Sequence, residues 1–205
     1  MAYAESPRRS NVSYMVRLAV LVAILLLLEV TGLGLIKTPG LEFTIMQVPV
    51  IIGAIVMGPA AGAILGGVFG LISFWECFGK SAFGAVLLSV SPVGTFMTCV
   101  PTRILMGLLC GLIFRALYRI DRSKLWSFGA AGLAGALLNT IFFMSMLVAF
   151  FYNTEYIQGF VTFLGSANPL AFVIAFVGVQ GLLEAIICTI AGAAISKALY
   201  KVLSK

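Results

Sequence analysis

The hydrophobic positions of this chain gather into long runs, separated by short stretches rich in Gly, Pro, Ser and charge. Residues 14–33 form a run of about 20 residues, enough for a helix to cross a hydrocarbon layer of ~30 Å. Arg17 stands close enough to its start to snorkel to the interface. A basic flank also precedes signal peptides, but this run is long for one and Thr31-Gly32-Leu33-Gly34 is a poor cleavage site, so the pattern predicts a retained span. Residues 43–77 form an apolar stretch of 35 residues, and a single helix of that length reaches roughly 52 Å. It must fold back. Gly58-Pro59 near its middle predicts the break, giving helices at about 43–58 and 60–77. In residues 80–96, Ser, Gly and Pro92 surround an apolar stretch, 85–90, too short to span. They predict an external loop with a short interfacial helix, positioned as a lid. Further spans are predicted at 97–118, 127–151 and 170–196. Between the last two, residues 152–169 are polar and aromatic, without Lys or Arg.

Composition agrees: 61% of the residues are apolar and 10% charged, with a mean hydropathy of +1.14. Six crossings use about 120 of the 205 residues, which leaves no room for a separate soluble domain. The fold class that follows is an all-α membrane protein, a compact six-helix transmembrane bundle forming one domain over residues 1–205. Several chemistries are excluded. The chain has no histidine, so the commonest general base and metal ligand is absent. Cys77, Cys99, Cys110 and Cys188 have no metal-binding spacing and read as buried thiols, with a Cys77–Cys99 disulfide as the alternative. There is no phosphate-binding G-x-x-x-x-G-K-[ST] loop, so any nucleotide hydrolysis belongs to another polypeptide. No cofactor or metal is implied.

The net charge of +6 would suggest nucleic acid for a soluble protein; here the placement of the cations matters more than their sum. Arg8, Arg9 and Arg17 precede the first run, Arg115, Arg119, Arg122 and Lys124 sit together mid-chain, and Lys197, Lys201 and Lys205 close it. Two crossings within 43–77 bring all three clusters to one side, leaving Lys37 and Lys80 outside and Arg103 within a span. The positive-inside rule then predicts that both termini are cytoplasmic. A re-entrant hairpin at 43–77 has the same parity and stays open.

Gly62, Gly66 and Gly70 recur at every fourth position of the third span, a ladder that lets two helix backbones approach closely. Gly129, Gly132 and Gly135 do the same in the fifth. Ala19 and Ala23 stand one turn apart among bulky residues of the first span and make a shallow groove, which packing within the bundle explains as well. Ionisable or amide side chains inside spans are costly and mark candidate sites. Arg103 lies in the outer part of the fourth span, just after Pro101, whose ring frees nearby carbonyls. Asn139 is halfway through the fifth. Gln180 and Glu184 share one face of the sixth, and Glu29 is near the outer end of the first. These depths converge on the outer half of the bundle, where a guanidinium can bind a carboxylate bidentately. A cavity for a small anionic solute follows. An internal Arg103–Glu184 or Arg103–Glu29 ion pair explains the same charges without a ligand, and interhelical hydrogen bonds explain Asn139 and Gln180. Trp75 joins the candidate binding residues; with Glu76 it lies at an external interface, where an aromatic belt is the alternative. Tyr152, Asn153 and Asn168 are candidate rim residues.

The run Glu42-Phe43-Thr44-Ile45-Met46-Gln47-Val48-Pro49-Val50-Ile51-Ile52-Gly53-Ala54, then Met57-Gly58-Pro59-Ala60-Ala61-Gly62 and Gly66-Gly67-Val68-Phe69-Gly70, following an Ala-x-x-x-Ala first helix, resembles the substrate-binding S component of an energy-coupling factor (ECF) vitamin transporter. The resemblance implies a six-helix membrane protein that binds a vitamin from outside. It further implies a transmembrane coupling subunit and two cytoplasmic ATPases as partners, with Ala19 and Ala23 matching the motif that docks on the coupling subunit. The branch it is most similar to carries pantothenate; riboflavin, folate, niacin and thiamine precursors are carried by relatives of similar size. A proton-coupled carrier using Glu184 or Glu29 is the first rival reading. A membrane-embedded hydrolase is the second, for which a base and a nucleophile within reach are missing.

Overall fold

The computed structural model describes residues 7–38, 41–122 and 125–203, excepting the side chains of 7–10, 35–38, 41–43, 179, 180 and 203. The side chains of Arg8, Arg9, Lys37 and Gln180, and Lys124 and Lys205 altogether, therefore lie outside the described residues. In chain order come α1 (Pro7–Thr31), β1 (Leu35–Thr38), β2 (Leu41–Thr44), α2 (Gln47–Val56), α3 (Pro59–Glu76), α4 (Ala82–Val90), α5 (Pro92–Ile120), α6 (Trp126–Phe151), α7 (Glu155–Phe163) and α8 (Pro169–Leu203).

Contacts between helix ends fix their directions. Glu29, near the end of α1, pairs with Lys80, just past the end of α3. At the opposite pole, Phe114 and Tyr118 of α5, Phe128 of α6 and Tyr200 of α8 stack together with centroids 5.0–6.0 Å apart. Thus α1, α3 and α6 run toward the first pole, and α2, α5 and α8 run away from it. Arg17, Arg115, Arg119, Arg122, Lys197 and Lys201 all belong to the end that carries the aromatic cluster.

Among the described residues, five helical segments are long and apolar enough to cross a membrane: Asn11–Thr31, Pro59–Glu76, Pro92–Ile120, Trp126–Phe151 and Gly181–Val202. The expectation of six such spans is corrected at residues 43–58, because α2 has 10 residues and reaches only about 15 Å. Residues expected to start that helix form β2 instead, antiparallel to β1 with Leu35 opposite Thr44 and Thr38 opposite Leu41. The fold is helical with one hairpin, not purely α. Gly34 anchors the hairpin, donating to the Leu28 carbonyl at 2.9 Å and accepting from Ile45 at 3.0 Å. A short helix is tolerated here because α2 is buried from Gln47 to Ile55, so protein rather than lipid surrounds its ends. The break before α3 does fall at Gly58, whose φ of +99° favours glycine, with Pro59 opening the helix. Two features have no forerunner in the hydrophobic pattern. One is α7; the other is a break in α8 at Gly178 (φ +22°, ψ −118°), leaving Pro169–Gly178 as a short apolar segment.

The glycine ladder of α3 lies against the backbone of α5. A Cβ on Gly62 would strike the Gly107 carbonyl, one on Gly66 the Arg103 carbonyl, and one on Gly70 the Val100 backbone. Close backbone approach is what van der Waals fit provides where lipid supplies no hydrophobic drive, and here it fixes the height and rotation of Arg103. Gly132 meets the Cys188 carbonyl on α8 in the same way. Replacing Gly66 with Leu is expected to destabilise the fold by about 1–3 kcal/mol, the usual effect of overpacking. Thermal unfolding in detergent checks this, and an unshifted transition would contradict the contact.

Candidate functional site

Between α3, α5, α6 and α8, under α4 and α7, lies a cavity of about 430 Å³, within the roughly 300–1,000 Å³ typical of small-molecule sites. Its polar lining includes Thr44, Ser73, Glu76, Arg103, Asn139 and Glu184, and its aromatic lining Phe83, Phe143, Tyr156, Phe160 and Phe176. Of these rings, Phe83, Tyr156, Phe160 and Phe176 form one continuous cluster. Phe83 of α4 lies 5.9 Å from Tyr156 and 6.0 Å from Phe176, and Phe160 lies 5.5 Å from Phe176. Side-chain caps start the two lid helices: Ser81 accepts from Gly84 at 3.0 Å and Thr154 from Ile157 at 3.4 Å.

Arg103 is 7% exposed. Two residues earlier, Pro101 interrupts the hydrogen-bond ladder of α5. The Arg103 Nη1 donates to the carbonyls of Thr98 (3.2 Å) and Cys99 (3.0 Å). The guanidinium carbon lies 4.8 Å from the Phe69 centroid and 5.4 Å from that of Phe143, so two rings flank the cation. Its Nε has no partner, and among the described residues no carboxylate lies within 4.0 Å of it. The ion pairs that offered an alternative reading of this charge do not form. Glu29 pairs with Lys80 at 2.6 Å. Glu184 accepts from the Thr44 backbone at 2.9 Å and from Gln47 Nε2 at 3.3 Å, tying α8 to the hairpin and α2.

Two further polar groups complete the wall. Asn139 is 7% exposed and its Oδ1 has no partner; Glu76 is 4% exposed and its Oε1 has none. Buried polar atoms are nearly always hydrogen-bonded, so orphans around one cavity mark where a bound solute supplies the missing partners. The four cysteines are free and buried. Cys77, just past α3, donates to the Ser73 carbonyl at 3.2 Å. Its thiol is pushed above the ordinary range by its hydrogen bond with Cys99 and by burial, which keeps it neutral and unreactive.

Of the candidate binding residues, Arg103, Asn139 and Glu184 line this cavity together. Gln180 lies on the backbone of α8 beside them, its side chain outside the described residues. Trp75 does not line the cavity: it is 71% exposed. Its neighbour Glu76 faces inward, on the same face of α3 as Phe69 and Ser73, seven and three positions earlier. That spacing was the available signal for Glu76. Asn168 instead caps α8, accepting from Ala171 at 2.8 Å, and Tyr152 packs on Phe172. Ala19 and Ala23 are exposed on α1, which packs into the bundle through Leu18, Leu21, Val22, Leu25 and Leu28 on its other side.

A cavity among apolar helices, lined by a buried cation and roofed by two short helices, has the form of a solute site in a membrane protein. A sequence profile of the family "ECF transporter, substrate-specific component" matches residues 13–196. The chain belongs to this family, whose members are integral to the cell membrane. It is 32% identical over 159 residues, 72% of this chain and 78% of the relative, to the pantothenic acid transporter PanT of Lactococcus lactis subsp. cremoris. It is 30% identical over 164 residues, 78% of this chain and 76% of the relative, to the pantothenate transporter PanT of Leuconostoc mesenteroides subsp. mesenteroides.

Replacing Glu184 with Ala strands the Thr44 N–H and the Gln47 amide. It is expected to lower the stability of the ligand-free protein by about 1–3 kcal/mol. Thermal unfolding without ligand measures this, and an unchanged midpoint would remove Glu184 from its tethering role.

Proposed function

We propose that this chain captures pantothenate outside the cell and delivers it inward together with a transmembrane coupling subunit and two cytoplasmic ATPases. The observation that carries the reading is the buried Arg103 guanidinium, which lines an outward cavity with no internal carboxylate partner. The names of the two relatives support the choice of vitamin. Pantothenate has a carboxylate at one end, an amide in its middle, and two hydroxyls around a dimethylated carbon at the other. Arg103 takes the carboxylate bidentately. Asn139, Gln180 and Glu184 exchange hydrogen bonds with the amide and hydroxyls, and the aromatic wall covers the methyl groups. Trp75 serves at the lipid interface, where amphipathic rings concentrate, rather than on the solute.

In this reading the chain is one six-helix domain. α2 and the hairpin before it together take the place of the second crossing, and both termini are cytoplasmic. The cations of the pole opposite the cavity support that orientation through the positive-inside rule. Ala19 and Ala23 form the surface that the coupling subunit docks on; their exposure on the outer side of α1 supports this, since small residues admit a second helix closely. The chain itself catalyses no reaction.

The purified protein is expected to bind pantothenate without ATP, measured by calorimetry in detergent. Arg103→Ala should weaken that binding by roughly 1.5–3 kcal/mol, the value of hydrogen bonds to a charged group; unchanged affinity would take Arg103 out of the site. Replacing both Ala19 and Ala23 with Leu should leave binding intact and abolish most uptake in cells that express the partner subunits. Normal uptake by that double variant would contradict the docking role.

A further inference from the structure

Glu76 is the one carboxyl of the cavity wall whose free oxygen has no work in holding the fold. It is 4% exposed, it lines the cavity, and its Oε1 has no partner. The other carboxyls nearby are engaged: Lys80 Nζ donates to Glu29 Oε1 at 2.6 Å and to the Glu29 backbone carbonyl at 2.7 Å, and Glu184 accepts from Thr44 and Gln47. Glu76 Oε1 is therefore the carboxylate acceptor that the cavity wall leaves for a solute, in the same cavity as an Arg103 guanidinium that has no ionic partner among the described residues.

Building on the pantothenate reading above, we propose that Glu76 determines specificity. Its Oε1 accepts a hydrogen bond from a hydroxyl of the solute whose carboxylate Arg103 takes. The site thereby selects carboxylates that also carry a donor, over simple carboxylates of the same charge. Sites built to hydrogen-bond a substrate hydroxyl reject analogues that lack it far more strongly than apolar pockets reject a missing methylene.

The test is calorimetry on the protein in detergent, with pantothenate and with a deoxy analogue in which both hydroxyls are replaced by hydrogen. Glu76→Ala is expected to weaken pantothenate binding roughly 10–100-fold while changing the analogue by less than about threefold. Glu76→Gln, which keeps an acceptor of the same shape, should bind pantothenate within a few-fold of wild type. An Ala variant that weakens both compounds equally, or neither, overturns the assignment. So does a Gln variant that weakens pantothenate as much as the Ala variant does. Wild-type protein that binds neither compound overturns the pantothenate reading and this assignment with it, whereas wild-type binding with a failed Ala result overturns this assignment alone.

Discussion

The structure turns on a guanidinium that is buried without a carboxylate. Arg103 is held by the carbonyls of Thr98 and Cys99 and by the faces of Phe69 and Phe143. These partners satisfy its geometry but do not neutralise its charge. A buried charge that lacks an ionic partner is costly, so the fold bears that cost in the empty state, and in the proposed function an entering anion offsets it. The acids nearby are occupied elsewhere: Glu184 with Thr44 and Gln47, Glu29 with Lys80. Their engagement is what prevents the cavity from collapsing into an internal salt bridge.

The depth of Arg103 is set by backbone contacts. The α3 glycines seat directly on α5, with Gly66 against the Arg103 carbonyl itself, so the depth of the cation is set by a contact with little freedom to adjust. On the other side, replacing the upper part of a second span with a hairpin leaves α2 short and buried. This brings Thr44 and Gln47 to the level of Glu184 rather than to the membrane surface. Below the cavity, Phe114, Tyr118, Phe128 and Tyr200 fill the bundle end. Above it, α4 and α7 bring aromatic rings over the opening. In the proposed function a solute enters from the lid side and meets a packed floor, which suits a capture subunit that relies on other polypeptides for the energy of transport.

Much of this was legible in the sequence because the bilayer imposes lengths and penalties. The long runs became α1, α3, α5, α6 and α8, and Gly58-Pro59 broke where a proline and a glycine together make a continuous helix unfavourable. Arg103, Asn139 and Glu184 stood out because polar groups are expensive in lipid, and they line one cavity. What was not legible depended on rotation and tertiary context. Hydropathy cannot say which of Trp75 and Glu76 turns inward, as adjacent residues on a helix point about 100° apart; the spacing from Phe69 and Ser73 held the answer. The hairpin was hidden because the apolar residues of β2 also suit a helix start. α7 was hidden in a segment too polar to read as a span. The break at Gly178 follows no proline, and isolated glycines occur within intact helices here as well.

The most direct test of the central claim is an experimental structure of the detergent-extracted protein saturated with pantothenate. The account requires the carboxylate within hydrogen-bond distance of the Arg103 guanidinium, beneath Phe83 and Phe160. Ligand bound elsewhere, or an Arg103 that pairs with Glu184 while the cavity stays empty, would contradict it.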